Sequence, residues 1–427
     1  MEQTVLGQST SQNKVKNLNF SKREKQILKK LAGEVSELAA LPDEAEKRKL
    51  WTRHNDLEQV RPLIFCDPEN GWNEIIPEKI LVCQNDLARN WEMNLRKEIF
   101  WATKMGDDRV TEPYFNIPYS YSETDWGMHH VQVGGADLGA YTWEAPLKDY
   151  GRDLPLIKFP EITVDYKMTD AVCQLADSIF GDLLSVRIKG MWWWTLGLTW
   201  PLINLRGLEN YMIDFYMNPQ ELHKLMEILR DGHLAKLDFL EANNLLPDNT
   251  DMYVGSGGFG YTTQLPRDDF TGKTRLKDMW GFCESQETVG VDPELFAEFV
   301  LPYQLPILER FGLNCYGCCE GLDARWDYIK KIPNLRRVSV SPWANETIMA
   351  EQLGPDYIFS RKLHPAKLAM ADMDQDSVRM ELRKALEIAT ANNCVTELLM
   401  KDNNTLGNNP QNVIDWCRIA KEEINEL

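Results

Sequence analysis

The sequence predicts an α/β protein, a (β/α)8 TIM barrel with an N-terminal helical extension and a β-hairpin and loop insertion. Two observations carry that expectation. The last third of the chain alternates strand and helix patterns with short connections, which implies a parallel sheet. The length of 427 residues, with the alternation running to the C-terminus, suits a closed barrel better than a doubly wound sheet.

The elements follow in order. Ser21-Lys22-Arg23-Glu24 is a capping box, and Ile27, Leu28 and Leu31 supply an apolar helical stripe behind it. A second helix is expected from about Asp43 to Leu57, so residues 1–60 read as a helical layer packed on a barrel of residues 61–427. Leu63–Cys66 is a short buried strand ended by Asp67-Pro68. Residues 110–165 carry Pro, Gly, Tyr and Asp between short alternating runs such as His129–Val133, the chemistry of hairpins and loops, and form the expected insertion. Val186–Gly190 reads as a strand. Asn218-Pro219-Gln220-Glu221 starts a helix whose face is Leu222, Leu225, Met226 and Leu229, and Asp292-Pro293-Glu294 starts another. Strands near Met279–Cys283, Asn314–Cys319, Arg337–Ser341, Tyr357–Ser360 and Val395–Met400 alternate with helices around Ala324–Lys331, Glu346–Leu353, Gln375–Ala391 and Pro410–Glu426.

Composition narrows the function. Lys and Arg number 47 against 65 Asp and Glu, a net charge of −18, which disfavours nucleic acid or an anionic membrane as partner. Met1–Asn19 is polar and lacks a hydrophobic signal core, and the apolar-looking run Met191–Leu205 is broken by Thr195, Thr199, Pro201 and Asn204. A soluble, cytoplasmic protein is expected. Nine cysteines without a secretory signal read as reduced thiols, and 14 Trp with 14 Tyr favour an aromatic-lined pocket.

A barrel places its active site at the C-terminal ends of its strands. Those positions are polar here: Glu284 or Glu287, Cys318-Cys319-Glu320, Ser341-Pro342-Trp343, Arg361-Lys362 and Lys401-Asp402. In Cys315–Glu320, strict alternation puts Tyr316, Cys318 and Glu320 on one face. A thiolate and a carboxylate there suit Zn²⁺ with a third ligand from a neighbouring strand, or the cysteines are small buried hydrophobes. His129-His130 point to opposite sides of a strand, and His364 is a rim proton donor or an ordinary solvated or core histidine. Trp192-Trp193-Trp194 wall a pocket or fill a core. Gly255-Ser256-Gly257-Gly258-Phe259-Gly260 matches GxGxxG, but no amphipathic helix follows, so a dinucleotide site is rejected.

At Glu284-Ser285-Gln286, at Asp292–Phe296 through Leu301-Pro302-Tyr303, and at Tyr316-Gly317-Cys318-Cys319-Glu320, the chain resembles the uroporphyrinogen decarboxylase superfamily. Ser360-Arg361-Lys362-Leu363-His364-Pro365 is similar to that superfamily's Gly-Asn-Leu-Asp-Pro segment. The resemblance spans Thr169 to Leu427 and, more loosely, Trp51 to Trp72, and it implies a TIM barrel. The tetrapyrrole decarboxylases hold propionates with an arginine-rich loop after the first strand, whereas Phe65–Trp72 contains no arginine. The corrinoid-dependent methyltransferases hold zinc with a His-x-Cys strand and a distant cysteine. Here the strand reads Tyr316-Gly317-Cys318, without the histidine, and Lys401-Asp402-Asn403 stands where the distant cysteine would fall.

The resemblance therefore implies a methyltransferase that demethylates a small donor, an O-methylated aromatic ahead of a methylamine, and passes the methyl to cobalamin on a corrinoid-binding partner protein. Tyr316, Glu320, Glu284, Lys362, Lys401 and Asp402 are the candidate catalytic groups. Trp192, Trp193, His129, Trp343, Arg361 and His364 are the candidate substrate contacts, with Cys318 as the candidate zinc ligand. The competing readings are a decarboxylase of a small aromatic or tetrapyrrole-like acid, with Arg361 or Lys362 on the carboxylate, and a non-enzymatic binding protein.

Overall fold

The computed structural model describes residues 17–129, 131–134 and 141–427. The polar start of the chain and His130 lie outside them. The strands are β1 (Leu63–Cys66), β2 (Tyr114–Ile117), β3 (Tyr121–Glu123), β4 (Val131–Gly134), β5 (Tyr141–Glu144), β6 (Ile162–Val164), β7 (Ser185–Ile188), β8 (Trp280–Cys283), β9 (Leu313–Tyr316), β10 (Leu335–Val340), β11 (Ile358–Lys362) and β12 (Val395–Met400). Six form one parallel sheet in the order β1-β12-β11-β10-β9-β8, and β2 pairs in parallel with β7.

Taken in chain order these eight strands follow the sequence of a barrel, but the ladder is interrupted between β1 and β2 and between β7 and β8 among the described residues. Other groups satisfy the open edges, as buried backbone polar groups require. On β1, Asp108 donates its N–H to the Ile64 carbonyl, its carboxylate accepts from Ile64 N at 2.8 Å, and Asp107 accepts from Cys66 N at 3.0 Å. On β8, Leu196 N–H reaches the Phe282 carbonyl, and the Asn249 amide exchanges two hydrogen bonds with the Trp280 backbone. Two buried acids and an amide thus stand in for neighbouring strands.

The inserted region is shorter than expected, because its first strand, β2, belongs to the parallel set. What remains is two antiparallel pairs, β3 with β6 and β4 with β5. The N-terminal helices behave differently from each other. Lys22–Ala39 has the capping box, and Glu24 also accepts from Gln84 N and Asn85 N, tying it to the helix Asp86–Phe100. The helix Pro42–Asn55 instead sends Trp51, His54 and Asn55 into the interior of the sheet's concave side, where Trp51 packs with Leu63, Phe65, Phe259 and Leu399.

The glycine-rich run fills the same interior. A Cβ on Gly257 would collide with the Arg337 side chain and one on Gly258 with Trp51, so the close approach demands glycine. This explains the run as a packing element, consistent with rejecting a nucleotide site. At its centre Glu397 of β12 meets Arg337 of β10, Nε to Oε1 3.0 Å, both fully buried. Glu397 also accepts from Ser360 Oγ at 2.6 Å and Gly258 N at 3.0 Å, with His54 Nε2 at 3.2 Å. Burial alone would raise the Glu397 carboxyl, but the Arg337 guanidinium, followed by His54 and Ser360, pulls it down to about 2.

Removing one member of such a pair leaves an uncompensated buried charge. Glu397→Gln is expected to cost about 3–5 kcal/mol in urea denaturation at pH 7, and much less in combination with Arg337→Met. The ordinary value of 4.5 lies above the folded one, so this contribution is complete above pH 4.5 and disappears as pH falls toward 2. An unchanged denaturation midpoint in Glu397→Gln would show the pair to be dispensable.

Candidate functional site

The strands alternate cleanly between the interior and the helices, and this sorts the polar residues at their C-terminal ends. On β11, Ser360 and Lys362 face inward and Arg361 outward. Arg361 is engaged by Glu346 and by the carbonyls of Val340, Ser341 and Lys362, which makes it a structural clamp rather than a substrate contact. Tyr316 is likewise displaced from its expected role. It is fully buried against the helix layer, donates to Gln304 Oε1 at 2.7 Å, and is held well above its ordinary pKa by burial. Gly317, at φ +92°, breaks the alternation and returns Cys318 to the interior beside Cys315. The expected shared face of Tyr316 and Cys318 therefore does not form.

Two groups of side chains result. In the first, Lys362 Nζ donates to Cys318 Sγ at 3.2 Å and stands 3.6 Å from Asp402, while the Cys318 and Cys319 sulfurs are 3.5 Å apart. Burial opposes the charge on Lys362, but Cys318, Asp402 and Cys319 hold it protonated. The shared proton between the two sulfurs, then Lys362, pushes Cys319 down. Glu320 is turned to backbone work, accepting from Ser285 N at 2.7 Å and Cys318 N at 2.9 Å. Burial first, and then Glu287 and Glu320, drive Glu284 well above the carboxylate range, so it is a neutral acid. One of its oxygens, Oε1, has no partner among the described residues, and a Cβ on Gly197 would lie 2.6 Å from it.

The zinc implied for Cys318 does not fit this donor set. An ammonium occupies the neighbourhood of the sulfur, and among the described residues no three His, Cys, Asp or Glu side chains converge in a way that could hold a metal ion.

The second group lines a cavity of about 640 Å³ at the C-terminal ends of β1, β2, β7 and β12. Its walls are Trp72, Trp101, Trp126, Trp192, Trp193, Trp194, Trp200, Tyr121 and Tyr253, with Asp67, Glu69, Lys97, Lys189, Lys236 and Lys401 among them. Of the expected residues it contains Trp192, Trp193 and Lys401. Trp192 is fixed by its indole N–H on the Leu245 carbonyl at 2.7 Å, and Lys401 lies over the Tyr253 ring at 4.3 Å. Gly197 also lines this cavity, so Glu284 sits directly behind its wall. His129 is exposed and paired with Asp125, and Trp343 and His364 pack on each other at the rim, outside the cavity lining.

Glu69 was not anticipated. Burial in this aromatic setting raises its carboxyl to about 7, Lys401 opposing and Asp402 reinforcing the shift. Its position after β1 follows from the strand-end rule, but the loop was read only for the arginine it lacks. Lys97 was equally invisible, since it comes from the helix Asp86–Phe100 rather than from a strand end.

No family model and no curated protein matches this chain. Among solved structures, the chain is similar to a methyltransferase from Methanosarcina mazei, with 12% sequence identity, 89% of this chain and 97% of that chain covered, and a TM-score of 0.46. A likeness at that level defines no activity, so the function rests on the residues of the site. No helix among the described residues is long and apolar enough to cross a membrane.

Glu69 is expected to be half-ionised near pH 7. Infrared difference titration should show a protonated carboxyl band that bleaches around that pH and is missing in Glu69→Gln. A band in Glu69→Gln equal to that of the parent would assign the titration elsewhere.

Proposed function

We propose that this protein is a methyltransferase that demethylates an O-methylated aromatic donor and passes the methyl group to cobalamin held by a corrinoid-binding partner protein. The reading includes membership of the corrinoid-dependent branch of the uroporphyrinogen decarboxylase superfamily, on a (β/α)8 scaffold interrupted at two seams, and a cytoplasmic location. The observation that carries it is Glu69, a carboxyl poised at about 7 inside an aromatic cavity at the C-terminal ends of parallel strands.

An aryl methyl ether is a poor methyl donor because its leaving group is a phenolate. Protonating the ether oxygen as the carbon–oxygen bond breaks turns that leaving group into a neutral phenol. Reduced corrinoid supplies the nucleophile that receives the methyl. Glu69 supplies the proton, so that ether, proton and nucleophile become phenol and methylated acceptor. The indole walls hold the ring and exclude water, which strengthens every charge interaction in the site. A volume of about 640 Å³ suits a substrate of one or two rings, and a corrinoid carried by a partner protein would supply only the methyl acceptor. Glu284, neutral behind Gly197, is placed to keep that wall uncharged.

Mixing the protein with cobalt(I) cobalamin and methoxyarenes is expected to consume the cobalt(I) absorbance in a protein-dependent reaction. The rate should fall as pH rises through about 7, because the protonated form of Glu69 is the active one. Glu69→Gln should lose about 10²–10⁴-fold in rate together with that alkaline limb. No consumption with any methoxyarene or methylamine, or carbon dioxide release without cobalamin, would overturn the assignment.

A further inference from the structure

Four lysines line the cavity, and they are not equivalent. Lys189 is paired with Asp251, and Lys236 holds Glu123 at 2.6 Å and the Trp192 carbonyl at 2.8 Å. Lys97 and Lys401 have no carboxylate within ion-pair distance among the described residues. Each rests on an aromatic face instead, Lys97 5.4 Å from the Trp72 ring and Lys401 4.3 Å from the Tyr253 ring. Both belong to the end of the cavity built after β1 and β12, where Trp72 donates its indole N–H to Asp67 at 3.0 Å.

The charge at that end is unbalanced. Asp402 is committed to Lys362, and Glu69 retains its proton below about pH 7. Of the two carboxylates that act on Lys97, Glu98 is committed to Arg109, which leaves Asp67, whose Oδ1 already accepts from Trp72 Nε1 and Glu69 N. A cation kept in a largely desolvated aromatic setting without an anion is costly unless the ligand brings one.

We propose that Lys97 and Lys401 form an anion subsite, and that the aromatic ligand of this cavity carries a carboxylate received by these two ammonium groups. The methyl donor is then a methoxylated aromatic acid rather than a neutral methoxyarene, an extension that rests on the methyl-transfer reading for its methoxy group alone. The aromatic walls take the ring, the lysines orient it from its acidic substituent, and Glu69, adjoining Lys401, is left for the ether oxygen. Lys401 thereby becomes a positioning and specificity residue instead of a proton donor.

The test is binding, read by quenching of the cavity tryptophans in the full-length protein at pH 6.5. Para-methoxybenzoate is expected to bind roughly 10–100-fold more tightly than para-methoxybenzamide, the margin of one charge-assisted contact. Lys97→Met and Lys401→Met should each erase that preference, bringing the acid-to-amide affinity ratio to about one. Lys97→Arg and Lys401→Arg should retain most of it, and far-UV circular dichroism checks that each variant is folded. Equal affinity for acid and amide, absence of binding by both, or a preference that survives both Met variants overturns the subsite. A clear preference for the acid with no consumption of cobalt(I) would instead retire the methyl-transfer reading and leave the subsite standing.

Discussion

The arrangement depends first on the buried contact between Arg337 and Glu397. Neither charge is tolerable alone at zero exposure, and together they draw four parts of the chain to one point: β10, β12, the glycine-rich run through Gly258 and Phe259, and the inward-reaching helix through His54 and Asn55. Interiors of small barrels are filled by side chains from alternate strands. Here the glycine-rich loop and the helix Pro42–Asn55 pack against the six-stranded parallel sheet through Trp51, Phe259 and the Arg337–Glu397 pair. The positions of Lys362 and Lys401 are set by the same register, because each lies on the inward side of a strand or at its inward end.

Much of the architecture was legible because it follows local rules. The capping box at Ser21, the proline-started helix at Pro219 and the alternating final third obey propensities and periods that a single sequence displays. The glycines of the GxGxxG match are pressed against Arg337 and Trp51, a tertiary reason that no window of residues displays. Within residues 110–165, β2 pairs in parallel with β7, and at Tyr114–Ile117 it is too short for periodicity to separate a core strand from a hairpin arm.

The site was legible only in part. Arg361 and Lys362 are both expected at the site from their place at a strand end, yet neighbours on a strand point opposite ways and only Lys362 faces inward. Strict alternation failed at Cys318 because Gly317 takes a positive φ, an option that glycine provides without announcing it. Tyr316 faces the helices through the register of β9 itself, one residue before that turn. Glu69 and Lys97 depend on which loops and helices converge over the strand ends, information that resides in the topology and not in any window of residues.

The interruptions in the ladder bear on the cavity. Its walls come partly from β1 and β12, in one hydrogen-bonded sheet, and partly from β2 and β7, in another. Among the described residues no ladder joins these two sheets, and the β1 edge between them is completed by the Asp107 and Asp108 carboxylates and the Asp108 N–H. Any parting of the two walls would therefore act on the Asp108–Ile64 main-chain bond and its flanking carboxylate contacts, while the strand pairing within each sheet stays intact.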